Sequence, residues 1–180
     1  MDKKREQLYH LLGDLPPRNL PIKLIQCDII KTKDRVIEHL KLNLNGIDHV
    51  TALFVKPIEA AEPLPCVLYN HSHGGNYDLG KNELIDGVEY LYNVPYVEPL
   101  ISNNYSVLCI DSWCFGERKK KRQMDVAKEM LWKSQTLWGM MVFDSLKAID
   151  YLTSREDVDS NRLGTLGMSM GSQWPGGWLH

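Results

Sequence analysis

The chain has 180 residues, 43% hydrophobic, 24% charged and 9% aromatic, which suits one domain with an ordinary core. Lys and Arg number 21 against 23 Asp and Glu, and a formal net charge of -2 excludes the electrostatic footprint of a nucleic-acid or anionic-membrane binder. The start Met1-Asp2-Lys3-Lys4-Arg5 leads into no apolar stretch, and no run of about 18 apolar residues follows, so neither a secretory leader nor a membrane span is expected and the expected location is cytoplasmic.

In chain order, Lys3 to Leu12 places Leu8, Leu11 and Leu12 at helical spacing and stops at Gly13, with Pro16 and Pro17 beyond it. This predicts a short accessory helix. From Val36 to Pro57 the pattern alternates: Ile37, His39, Lys41 and Asn43 oppose Glu38, Leu40, Leu42 and Leu44, and Val50, Ala52 and Phe54 resume after the turn signal Asn45-Gly46. Two antiparallel strands are expected. Cys66-Val67-Leu68-Tyr69 and Ser106-Val107-Leu108-Cys109-Ile110 are short apolar runs that read as buried parallel strands, with a helix from Tyr96 to Ser102 between them. Next, Ala127, Met130, Leu131, Ser134, Leu137, Trp138, Met141, Val142, Ser145, Leu146, Ile149 and Leu152 keep the spacing of one long helix ending near Arg155. A turn at Asp157-Val158-Asp159 leads to a third parallel strand, Arg162 to Leu166, which runs straight into Gly167. A hairpin followed by strand and helix units describes an α/β sheet with an antiparallel start and no internal repeat. Cys27, Cys66, Cys109 and Cys114 are widely spaced without a CxxC pair and read as buried free thiols, not as disulfides or a zinc site.

Gly167-Met168-Ser169-Met170-Gly171 is a G-x-S-x-G directly after a predicted strand. A serine hydroxyl is useful as a nucleophile only if it projects from the sheet rim, which demands a sharp turn from strand to helix with the serine at its apex. Upstream, Tyr69-Asn70-His71-Ser72-His73-Gly74-Gly75 follows the first parallel strand. With these pieces in order, the chain from Val36 to Ser172 resembles the α/β-hydrolase superfamily, within it the dienelactone-hydrolase and acetyl-xylan-esterase-like branch. Ser72 departs from the pattern, since many relatives have Gly there. The resemblance implies a partial α/β-hydrolase fold, mostly parallel with an antiparallel N-terminal hairpin and helices on both faces. It further implies an accessory helix over 1–17, the N-terminal portion of one such domain over 18–172, and an aberrant tail over 173–180.

By the same resemblance Ser169 is the nucleophile, and the Met170 N–H with an N–H from Ser72, His73 or Gly74 holds the oxyanion. The implied activity is hydrolysis of a small-molecule ester or related acyl bond, with no cofactor and no metal. The His71 and His73 side chains are expected to satisfy loop carbonyls, and Asp111 to anchor a loop. The few residues beyond Ser169 contain no carboxylate side chain and only His180, so a triad acid and base are expected to be missing and the third strand to be an edge open to self-association. Pro175, Gly176 and Gly177 stand where a buried helix is needed, at about 3 kcal/mol for Pro and 1 kcal/mol for each Gly relative to Ala. A shifted reading frame is the expected cause: ACA ATG GCC TGG TGG encodes Thr-Met-Ala-Trp-Trp, and one base later the same bases give Gln-Trp-Pro-Gly.

Two other readings compete. The chain could be a non-catalytic remnant or binding module. Alternatively, Gly75 to Lys81 fits the G-x-x-x-x-G-K of a phosphate loop, although Asn82 stands where Ser or Thr should hold the metal and Tyr77 and Leu79 crowd the wrap. Arg118 to Arg122 reads as a solvated stretch, and Trp132 and Trp138 as core or rim packing.

Overall fold

The computed structural model describes residues 3–59 and 63–173. The elements in chain order are α1 (Lys3–Leu11), β1 (Lys23–Lys31), β2 (Arg35–Asn43), β3 (His49–Pro57), β4 (Leu64–Asn70), α2 (Glu83–Asp86), α3 (Val97–Ser102), β5 (Ser106–Ile110), α4 (Gln123–Leu131), α5 (Leu137–Thr153) and β6 (Val158–Gly167). They form a six-stranded sheet in the order β1-β2-β3-β5-β4-β6. β1, β2, β3 and β5 pair antiparallel in succession, while β4 runs parallel to both β5 and β6. This is the partial α/β fold the sequence predicts, with the antiparallel hairpin at the start, but the sheet is mixed instead of mostly parallel, because β1 adds to the hairpin and β3 pairs antiparallel with β5.

Apolar alternation sets the two faces. Leu40, Leu42, Ala52, Phe54, Leu68 and Leu108 pack on one side against Ala148, Tyr151 and Leu152 of α5. Val55, Tyr69, Val107 and Cys109 pack on the other against Leu84 of α2 and Val97 and Ile101 of α3. A third cluster of Leu12, Phe115, Met141, Val142 and Met170 joins α1's end, α5 and the segments that leave β5 and β6. The hairpin turn is stapled by Asn45, whose Oδ1 accepts the N–H groups of Ile47 and Asp48.

Several expectations are corrected. The single long helix is two, α4 and α5, because residues 132–136 leave the helical path: Ser134 has φ 57 and its carbonyl accepts the Asp14 N–H, while Gln135 bridges to Gly13. Thr136 then caps α5, its Oγ1 accepting the Gly139 N–H at 2.9 Å. Trp132, in that break, is 92% exposed instead of lying in the core or at its rim. Arg118 is not solvated. It is buried, ion-paired to Asp144 at 2.8 Å and stacked on Trp113, whereas Lys119 to Arg122 are exposed as expected. Of the α1 leucines only Leu12, just past its end, is buried. β1, absent from the sequence reading, is an edge strand with Leu24, Ile25, Ile29 and Ile30 exposed. The expected aberrant tail lies outside the described residues from Trp174 onward.

All four cysteines are free thiols, three of them buried. Burial pushes the Cys66 thiol up to about 11, so at neutral pH it is a small apolar group without thiolate character. Among the described residues no helix is long and apolar enough to cross a membrane.

Candidate active site

Ser169 opens a short 3₁₀ turn, Ser169–Gln173, two residues beyond the end of β6. Its φ of 55 lies in the left-handed region, which a residue with a Cβ occupies only under strain worth about 1–3 kcal/mol. The chain bends here because two glycines allow it. A Cβ on Gly171 would stand 2.0 Å from the Asn70 carbonyl oxygen, and one on Gly167 would stand 2.5 Å from Gly171 itself. β4 and β6 are in parallel register with Asn70 opposite Gly167, so the bend sits directly beside the exit of β4. Ser169 is exposed, and among the described residues its Oγ has no hydrogen-bond partner. The Met170 side chain is buried in the third cluster, and its N–H has no acceptor among the described residues.

The loop leaving β4 is fixed by side chains on both sides. The His71 ring is buried, and its Nε2 accepts the Ser112 N–H at 3.1 Å; Nδ1 therefore carries the proton and donates it to the Ser72 carbonyl at 2.8 Å. Burial holds its pKa below the ordinary histidine value, partly opposed by the Ser72 hydrogen bond and the Asp111 and Glu83 charges. The His73 Nδ1 accepts the Gly75 N–H at 3.2 Å and Nε2 lies 3.0 Å from the Tyr77 hydroxyl, which donates to Gln123. His71, His73 and Tyr77 all pack on Phe115, with Tyr77 stacked at 4.9 Å, and Phe115 shares its cluster with Met170. One phenyl ring thus joins the loop to the serine turn. His71 serves a loop carbonyl, as expected, whereas His73 instead meets the Gly75 N–H and the Tyr77 hydroxyl.

Sequence reasoning missed Glu83. Its carboxylate is 2% exposed and accepts the Tyr69 hydroxyl at 2.6 Å, the Ser72 N–H at 2.9 Å, the Ser72 hydroxyl at 2.5 Å and the Tyr90 hydroxyl at 3.3 Å. The Ser72 amide is therefore already engaged, while the amides of His73 and Gly74 have no acceptor among the described residues. A cleft of about 370 Å³ opens beside this loop, lined by His73, Gly74, Asn76, Glu83, Tyr90 and Asn93 among others.

Asp111 is fully buried and accepts from Lys81 Nζ at 2.8 Å, the Lys81 N–H at 2.7 Å, the Thr51 hydroxyl at 2.6 Å and the Glu117 N–H at 3.2 Å. It anchors loops, as expected. The same contacts remove the phosphate-loop reading: the Lys81 ammonium is committed to Asp111 and Glu117, and Tyr77 is stacked on Phe115. Among the described residues no group of three or more His, Cys, Asp or Glu could hold a metal ion.

No family model matches the chain. It is 48% identical over 169 residues to a Bacillus subtilis (strain 168) protein named "Putative hydrolase YtaP", a match covering 94% of this chain and 56% of that protein. Among solved structures, a "putative acetyl xylan esterase" from Bacteroides fragilis NCTC 9343 superposes with a TM-score of 0.69 at 16% identity, covering 95% of this chain and 48% of that one. A glucuronoyl esterase from Solibacter usitatus gives 0.64 at 17% identity, covering 93% of this chain and 52% of that one. The chain shares the fold of these proteins over its own length and spans about half of theirs.

Proposed function

We propose that this chain carries the nucleophile and the anion-binding donors of a serine hydrolase acting on carboxylic esters of small molecules, without a cofactor, in the cytoplasm. One observation carries the reading: Ser169 stands exposed at φ 55 where β6 turns at the rim of the parallel strands, against the exit of β4. In this reading the Ser169 Oγ bonds to the ester carbonyl carbon and its proton passes to a base. The carbonyl oxygen becomes an oxyanion received by the Met170 N–H and by His73 or Gly74; Ser72, with its amide on Glu83, is not among the donors. Collapse expels the alcohol, which takes the proton, and water repeats the sequence to free the acid. A single such donor is typically worth about 3 kcal/mol of barrier.

The fold of esterases and the relationship to a curated hydrolase support this reading, as does the resemblance to the dienelactone-hydrolase and acetyl-xylan-esterase-like branch. The described residues place no base beside the Ser169 Oγ, and that observation favours the second reading, a non-catalytic module. Covalent labelling with a fluorophosphonate and turnover of p-nitrophenyl acetate separate the two. Labelling at Ser169 that disappears in Ser169→Ala is the expected result. Folded wild-type protein that takes no label and turns over no ester leaves the non-catalytic reading standing.

A further inference from the structure

We infer that Glu83 is a positioning residue, one that sets the direction of the His73 N–H; the inference rests on the reading of Ser169 as nucleophile. Burying a carboxylate costs several kcal/mol unless its oxygens are satisfied. Among the described residues no cation answers it, because the nearby Lys81 ammonium goes to Asp111 and Glu117. Neutral donors do so instead, and two of them belong to Ser72: its N–H on Oε1 and its hydroxyl on Oε2. The Ser72 amide and hydroxyl are thereby tied to one carboxylate, and an amide in its place would keep only one accepting atom.

The next peptide inherits that constraint. The Ser72 carbonyl is held by His71 Nδ1–H, and His71 Nε2 is held by the Ser112 N–H just beyond β5. No cis peptide occurs among the described residues, so the His73 N–H points away from the Ser72 carbonyl. β4 lies between β5 and β6. A carbonyl drawn toward the β5 side therefore turns the following N–H to the β6 side, where Ser169 stands, and this N–H has no acceptor among the described residues. Tyr90 closes the arrangement. Its hydroxyl lies against the Ser72 hydroxyl and 3.3 Å from Glu83 Oε2, and it would lie 2.5 Å from a Cβ on Gly74, which has φ 50 beneath it.

The test compares the 180-residue wild type with Glu83→Ala and Glu83→Gln, reading fluorophosphonate labelling at several concentrations and the His73 backbone amide by ¹H–¹⁵N NMR. The expected result is a fall in the maximal labelling rate with little change in half-saturating concentration. The fall should be about tenfold in Glu83→Gln, which keeps one acceptor, and approach about a hundredfold in Glu83→Ala. The His73 amide resonance should shift in both. Unchanged labelling with an unmoved His73 amide overturns the inference, as does a change confined to the half-saturating concentration. Should Glu83→Ala fail to fold, Glu83→Gln alone decides. A wild type that takes no label at Ser169 defeats the nucleophile reading, and the His73 amide then reports by itself whether Glu83 sets its direction.

Discussion

His71 is kept neutral by its surroundings, and this has a measurable sign. Burial lowers its pKa in the folded chain below the ordinary value of about 6.5. Below that pH the unfolded chain takes up a proton that folded His71 refuses, so its contribution to stability is complete above about pH 6.5 and is lost as the pH falls toward the lowered folded value. Thermal unfolding of the wild type should lose more stability between pH 7 and pH 5 than that of His71→Gln; equal losses would refute the assignment. At this scale the bend at Ser169 was legible, because a pentapeptide after an apolar strand is a local pattern. Glu83 was not. Tyr69 and Ser72 reach it from the exit of β4 and Tyr90 from beyond α2, and only the tertiary fold shows that this acidic residue is buried there.

Among the elements, β4, β5 and the β2–β3 hairpin were readable from apolar runs and alternation. The break between α4 and α5 was not, since helical spacing of apolar residues continues in phase through residues 132–136. The interruption is imposed from outside by Gly13 and Asp14, and from within by Thr136. Thr136 Oγ1 also donates to the Leu12 carbonyl at 2.7 Å, so one hydroxyl both starts α5 and docks the end of the N-terminal segment. Thr136→Ala should cost about 1–2 kcal/mol in urea unfolding, and Thr136→Ser should restore most of it. β1 escaped notice for a different reason. Lys23-Leu24-Ile25-Gln26-Cys27-Asp28-Ile29-Ile30-Lys31 pairs apolar neighbours without alternation, as an edge strand with little covered surface can.

In the molecule as a whole, Arg155 ties the α5 layer to the sheet. Just beyond α5, it makes paired hydrogen bonds to Glu38 on β2 at 2.8 and 2.9 Å and to Asp157 ahead of β6 at 2.8 Å, and it lies 3.8 Å over the Phe54 ring on β3. Removing it would leave Glu38, 8% exposed, without its cation. Arg155→Ala should lower stability by about 3–5 kcal/mol, seen as a reduced denaturant midpoint. Arg155→Lys should fall between, because an ammonium cannot reproduce the two-pronged contact. A midpoint unchanged in both would show that the stacking and ion pairs contribute nothing net.

The crowding at Gly171 has a practical consequence. The serine bend and the exit of β4 occupy one another's space so completely that even a methyl group at that glycine would have to push them apart. Variants built to test the proposed site should therefore leave positions 167 and 171 untouched. Changes belong around Asn76 and Asn93, where the cleft wall beside the loop can vary while the bend and the contacts of Glu83 keep their places.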